Sequence, residues 1–161
     1  MGLNGGMKHL LEGILLGISF YFFGVATFED ARWQEVRRIL WWHAGGAGLA
    51  LLILRRGLDV NLLLELLCFG LLQYLFFSRF YGLADCHGFL TCAIILGSYG
   101  GEMTSFLIHM LLTILLLGGI QAGRKNINRL GNLKKPVAML PYLMPAFFFT
   151  WAFLLIKNGA S

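Results

Sequence analysis

Six apolar stretches, at 10–28, 39–54, 62–77, 88–99, 103–120 and 137–156, alternate with polar connectors along the chain. The connectors lie at 29–38, 55–61, 78–87, 100–102 and 121–135. Each stretch is continuously apolar, which predicts helices; the strands of a membrane barrel would alternate with a period of two. A helix needs about 20 residues to cross a bilayer. The stretch at 88–99 falls furthest short, so it either begins earlier, at Cys86, or is shielded by its neighbours. The predicted fold is all-α: a polytopic membrane helix bundle of about six transmembrane helices, with five as the neighbouring count. No repeat or low-complexity linker interrupts it, so one domain over residues 1–161 suffices.

Composition sharpens the class. Of 161 residues, 58% are hydrophobic and only 13% charged, which excludes an ordinary soluble domain and points to an integral membrane protein. Lys8 followed by an apolar run to Phe28, with small Gly24 and Ala26, has the outline of a signal peptide. The run is long enough to span and more apolar stretches follow, so it reads as a retained first helix. Small residues recur at packing distance: Gly13 and Gly17, with Gly24 a heptad on, and Ala44 with Gly48. Such stripes let helix backbones approach closely in lipid, here within the chain, with a homodimer as the other use. Cys68, Cys86 and Cys92 form no CxxC pair and read as small buried hydrophobes, implying neither a metal site nor a disulfide framework. No cofactor and no nucleic-acid motif is indicated.

Charge sets the expected orientation. With six spans, one side of the membrane holds Arg32, Arg37, Arg38, Arg79, Arg124, Lys125, Arg129, Lys134 and Lys135. The other side, with both termini, holds Lys8, Arg55, Arg56 and Lys157. Nine basic residues against four predict a multi-pass protein of the cell's inner (plasma) membrane, with both termini outside. The connectors carrying Asp30 and Asp85 then face the cytoplasm together. The 121–135 connector is so cationic that it would repel a basic segment; fixing topology or meeting lipid headgroups suits it better.

Asp30 closes the first stretch and Asp85 opens the fourth. An ionisable group at the edge of a bilayer is a functional candidate by default. If the two helix ends adjoin, both carboxylates cannot stay ionised, so one holds a proton and the other does not. The charged one can take a proton from water while the protonated one polarises a peptide carbonyl, the division of labour of aspartic peptidases. Gly82 and Gly88 flank Asp85 and give the backbone room to bend there. Taken singly, each aspartate has a plain structural reading: Asp85 as a helix N-cap, Asp30 as a solvated residue or a partner of Arg32 or Arg37.

At these residues the chain resembles the type IV prepilin peptidase family of membrane aspartic peptidases, which includes the archaellin peptidases. Asp30-Ala31-Arg32-Trp33-Gln34-Glu35-Val36-Arg37 fits the family's first pattern, D-x-R-x-x-x-I-P, except that Arg37 takes the proline position. Gly82-Leu83-Ala84-Asp85-Cys86-His87 keeps the first glycine and the aspartate of the family's GxGD motif. Ala84 replaces the second glycine and His87 stands where lysine is common. Lys135-Pro136-Val137 and Pro141-Tyr142-Leu143-Met144-Pro145 loosely match a proline-containing entry to the last helix. The resemblance implies a membrane aspartic endopeptidase with Asp30 and Asp85 as catalytic residues, its site shaped by Gly82, Ala84, His87, Gly88 and Arg32. It implies as substrate a prepilin-like precursor, whose basic leader is cut at the cytoplasmic face. The chain lacks the CxxC pairs and the length for the cysteine-rich methylating insert of larger members, so it is similar to the short, peptidase-only form. The alternative is a non-enzymatic multi-pass protein, a transporter or a pilus or secretion assembly factor, in which both aspartates are structural.

Other polar residues carry blander expectations. Glu12 and Glu65 belong near the outer interface, as snorkelling or helix-terminal carboxylates. His43 and His109 read as buried neutral histidines bonding across helices. Trp33, Trp41 and Trp42 read as anchors in an aromatic belt.

Overall fold

The structure, a computed structural model, describes residues 5–127 and 138–159, and the side chains of all of these except 122–127. Among the described residues there are six helices and no strand, so the all-α expectation holds. They are α1 (Gly5–Trp33), α2 (Arg38–Arg56), α3 (Val60–Tyr81), α4 (Leu83–Ser98), α5 (Met103–Ile127) and α6 (Leu140–Gly159). Four of them, α1, α3, α5 and α6, are long and apolar enough to cross a membrane. The other two differ for separate reasons: α2 carries Arg38, Arg55 and Arg56 at its ends, and α4 has only 16 residues.

Local chemistry sets the helix ends. The α1 helix stops where Gln34 takes a left-handed conformation at φ 58°, its N–H donating back to Asp30 O at 3.0 Å. Gly57 closes α2 at φ 70°, a conformation that glycine adopts without strain. Asp59 then opens α3, its carboxylate accepting from the backbone N–H groups of Asn61 and Leu62. Gly82 turns the chain at φ 90° between α3 and α4. Within α3 the helix widens into a π-helical turn over Gln73–Phe77, a rare feature often found at functional sites.

The short α4 is the centre of the bundle. It packs against α2, α3, α5 and α6, and eleven of its sixteen residues are buried. Both sequence explanations for its shortness therefore operate: the helix starts ahead of its apolar stretch, and its neighbours shield it. The most extensive contacts join α1 to α2 and α2 to α4. Ala44 is fully buried in the first of these, and Ser19 Oγ donates to Ala44 O at 3.1 Å. One such bond in a membrane interior contributes only about 0.6 kcal/mol, so the close packing of small residues matters more. Gly48 shows this directly: a Cβ there would lie 3.3 Å from Ile95 Cγ1 and 3.4 Å from Ile94 Cγ2.

The other small-residue stripe behaves differently. A Cβ on Gly13, Gly17 or Gly24 would meet nothing within 4 Å, so these glycines pack no helix of the described chain. The expectation of intrachain packing is corrected there, because α1 turns its Ser19, Phe23 and Ala26 face inward. The outward surfaces stay apolar, with Leu10, Tyr21, Leu67, Phe149 and Ile156 all exposed, as suits a lipid solvent.

Candidate active site

Asp30 lies in the last turn of α1 and Asp85 in the first turn of α4, and they are 8% and 9% exposed. Burying two carboxylates is unfavourable unless something compensates, so each one's partners decide its role. Asp30 Oδ2 accepts the backbone N–H of Leu140, the first residue of α6, at 3.1 Å. A helix N-terminus presents unpaired N–H groups and a positive dipole end, which offset part, though not all, of the cost of burying the charge of Asp30. No cation pairs with Asp30 among the described residues. Arg37, one expected partner, instead grips Glu29: its Nε donates to Glu29 Oε1 at 2.7 Å and its backbone N–H to Oε2 at 3.1 Å.

Asp85 is treated differently. It does not cap α4, since Gly82 occupies that position and no side chain caps it. Among the described residues its carboxyl makes no hydrogen bond. Burial, and then the charge of nearby Asp30, push its pKa up from 3.8 to about 7, well above the ordinary carboxylate range. Asp85 lies in the polar connector ahead of the apolar stretch at 88–99. The structure thus places one carboxyl on backbone donors and a second, without donors, within reach of the first one's charge.

Leu140 and Gly88 join these two sides. A Cβ on Gly88 would lie 2.7 Å from Leu140 Cδ2, 3.1 Å from Leu143 Cδ1 and 3.4 Å from the Trp41 ring. Gly88 sits one turn past Asp85, and any side chain there would force the buried ends of Leu140 and Leu143 on α6 to shift. Gly82 is needed for a different reason. A Cβ there would meet Asp85 Oδ2 at an ordinary 4.0 Å, but its φ of 90° strains any other residue.

No protein-family model, curated protein or solved structure matches the chain.

The remaining expected site residues divide. His87 belongs to the cluster: its Nδ1 lies 2.6 Å from Leu83 O, its ring stacks on Trp41 at 6.2 Å, and Tyr74 meets it edge-on at 5.4 Å. Ala84 is half-buried in the first turn of α4. Arg32 stands apart, exposed, with its guanidinium 5.3 Å over the Trp33 ring. Trp41 is 6% exposed and packed edge-on to Phe23, so it is a core residue and not a belt anchor; Trp33 and Trp42 are exposed. His109 bonds across helices as expected, with Nε2 3.2 Å from Leu143 O. His43 does not: it is exposed, bonds Ile39 O within its own helix and stacks on Phe22. Cys86 and Cys92 are buried free thiols, but Cys68 is exposed. Among the described residues no group of three His, Cys, Asp or Glu could hold a metal ion. Arg129, Lys134, Lys135, Pro136 and Val137 lie outside the described residues, as do the side chains of Arg124 and Lys125.

Two features of the site are invisible to pattern reading. Glu29, read only as part of a polar island, is 5% exposed and holds Arg37 through three of its donors. Gln73, within the apolar stretch at 62–77 and not singled out by the sequence, is fully buried beside the Asp85 turn. A lone amide inside a spanning stretch was the available signal.

Proposed function

We propose that this protein is a membrane aspartic endopeptidase that cleaves prepilin-like precursors at the cytoplasmic face of the inner membrane. The observation that carries the reading is the pairing of two buried carboxyls of unequal environment, Asp30 on backbone donors and Asp85 under its charge. In this reading six crossings put both at the cytoplasmic edge, with both termini outside and the precursor's hydrophobic segment in the same bilayer. Ionised Asp30 takes a proton from a water placed between the carboxyls. Protonated Asp85 donates a hydrogen bond to the scissile carbonyl oxygen. The hydroxyl oxygen bonds to the carbonyl carbon, and the tetrahedral species collapses with the C–N bond breaking and a proton passing to the leaving amine. Neither step calls for a cofactor.

The hydrogen bond from Leu140 to Asp30 also favours a second reading, in which Asp30 is only the cap of α6 and the protein is a non-enzymatic multi-pass factor. Asparagine separates the two, because it caps a helix about as well as aspartate but cannot take a proton from water. Membranes containing wild type, Asp30→Asn or Asp85→Asn are incubated with a precursor encoded in the same genome neighbourhood. Cleavage by wild type alone, with both variants folded, supports the peptidase. Cleavage by either variant removes it.

A further inference from the structure

Both ends of the turn that carries Asp85 are tied to one residue. Tyr81 precedes Gly82, and its hydroxyl donates to Gln73 Oε1 at 2.6 Å. Cys86 follows Asp85, and its thiol donates to Gln73 O at 3.4 Å. Gln73 is itself anchored: it is fully buried, and its Nε2 donates to Met110 Sδ on α5 at 3.2 Å. The π-helical turn makes this possible. Its wide spacing leaves Gln73 O accepting from Ser78 N, five residues on, with a second lone pair directed to Cys86.

Uncharged bonds of this kind are individually modest and would be an ordinary structural gain anywhere else. Their placement is what distinguishes them. They bracket Gly82–Asp85, a segment whose last residue carries a carboxyl with no hydrogen bond of its own among the described residues. Nothing on the carboxyl fixes its direction, so the turn must.

We infer that Gln73 is the positioning residue of the Asp85 carboxyl, aiming it at Asp30 by pinning Tyr81 with its side chain and Cys86 with its main chain. This rests on the peptidase reading for its functional meaning, but the geometry it describes is independent of any substrate. The titratable groups whose charge acts on or with Asp85 are Asp30 from α1, Tyr81 from the end of α3, and Cys86 on its own helix.

The test uses the full-length protein in membranes, with Gln73→Leu, Tyr81→Phe and the double variant. Two readouts are taken: the pH dependence of precursor cleavage, and the infrared C=O band of protonated Asp85, assigned by its loss in Asp85→Asn. Expected are an approximately tenfold lower kcat with KM unchanged, and disappearance of the band at lower pH than in wild type. The double variant should be no slower than the slower single one, since both remove the Tyr81–Gln73 bond. Unshifted bands and multiplying losses would overturn the inference and leave Gln73 as packing. Shifted bands without cleavage of any precursor by wild type would uphold the positioning and remove the peptidase. Should Gln73→Leu fail to fold, Tyr81→Phe, which deletes a single oxygen, carries the same test.

Discussion

At the end of the bundle where α1 begins, three described carboxylates have found partners. Glu12 lies 3.7 Å from both Arg55 and His9, and Asp59 caps α3 while meeting Arg56 at 3.3 Å. Glu65 reaches from α3 to accept the N–H of Met103 at 2.6 Å, capping α5. Arg55 also stacks over Tyr99 at 4.0 Å, and Asn158 donates to Tyr99 O. At the opposite end Glu29 holds Arg37 through three of its donors, while Asp30 and Asp85 are buried near each other with no cation paired to either among the described residues. The same fold that pairs charges at one end leaves two like groups together at the other. Stability alone favours pairing with a cation, and the proposed chemistry accounts for a couple that has none among the described residues.

The largest expected effect breaks the couple. Asp30→Asn or Asp85→Asn should lower precursor cleavage by roughly 10²- to 10⁴-fold, the range for losing a general acid or base, with little change in helical content by circular dichroism. Next comes the packing that holds the couple closed. Gly88→Ala places a methyl where Leu140 already sits, and should destabilise the protein by about 1–3 kcal/mol in thermal unfolding in detergent. Its activity should fall more than its stability explains, because Leu140 carries the N–H that Asp30 accepts.

Acidity sharpens the contrast. Asp85 must be protonated to polarise a carbonyl, and its pKa stands at about 7 in the folded protein against 3.8 ordinarily. The proton is retained below that value and lost above it, so the cleavage rate should fall as pH rises through about 7. A rate that stays constant into strongly alkaline buffer would sink the assignment of Asp85 as the acid. The smallest effect belongs to the other end. Glu12→Gln should change stability by at most about 1 kcal/mol and leave cleavage untouched, since a peripheral pair at 3.7 Å contributes little.

Much of this was legible in the sequence, and the boundary has a physical origin. Long apolar stretches announce helices, and isolated aspartates at their edges announce themselves by contrast, so the helices and the Asp30–Asp85 pair could be found. Which face of a helix turns inward could not. In a membrane protein the lipid-facing and core-facing positions are equally apolar, so periodicity is nearly silent. For that reason Gly13 and Gly17 read like Ala44 and Gly48 but face the other way, and Trp41 read like Trp42 but is core. The π-helical turn at Gln73 has no sequence signature of this kind, and the grip of Glu29 on Arg37 depends on a left-handed Gln34 between them.

The bond between Leu140 and Asp30 joins residues 110 apart, the first helix to the last. The helices α1 to α5 already hold both carboxyls, yet without α6 Asp30 lacks its backbone donor and Gly88 lacks the leucine packed against it. Docking of α6 is what completes the surroundings of the two carboxyls. Removing α6 should therefore alter the setting of both carboxyls at once, although neither lies on that helix.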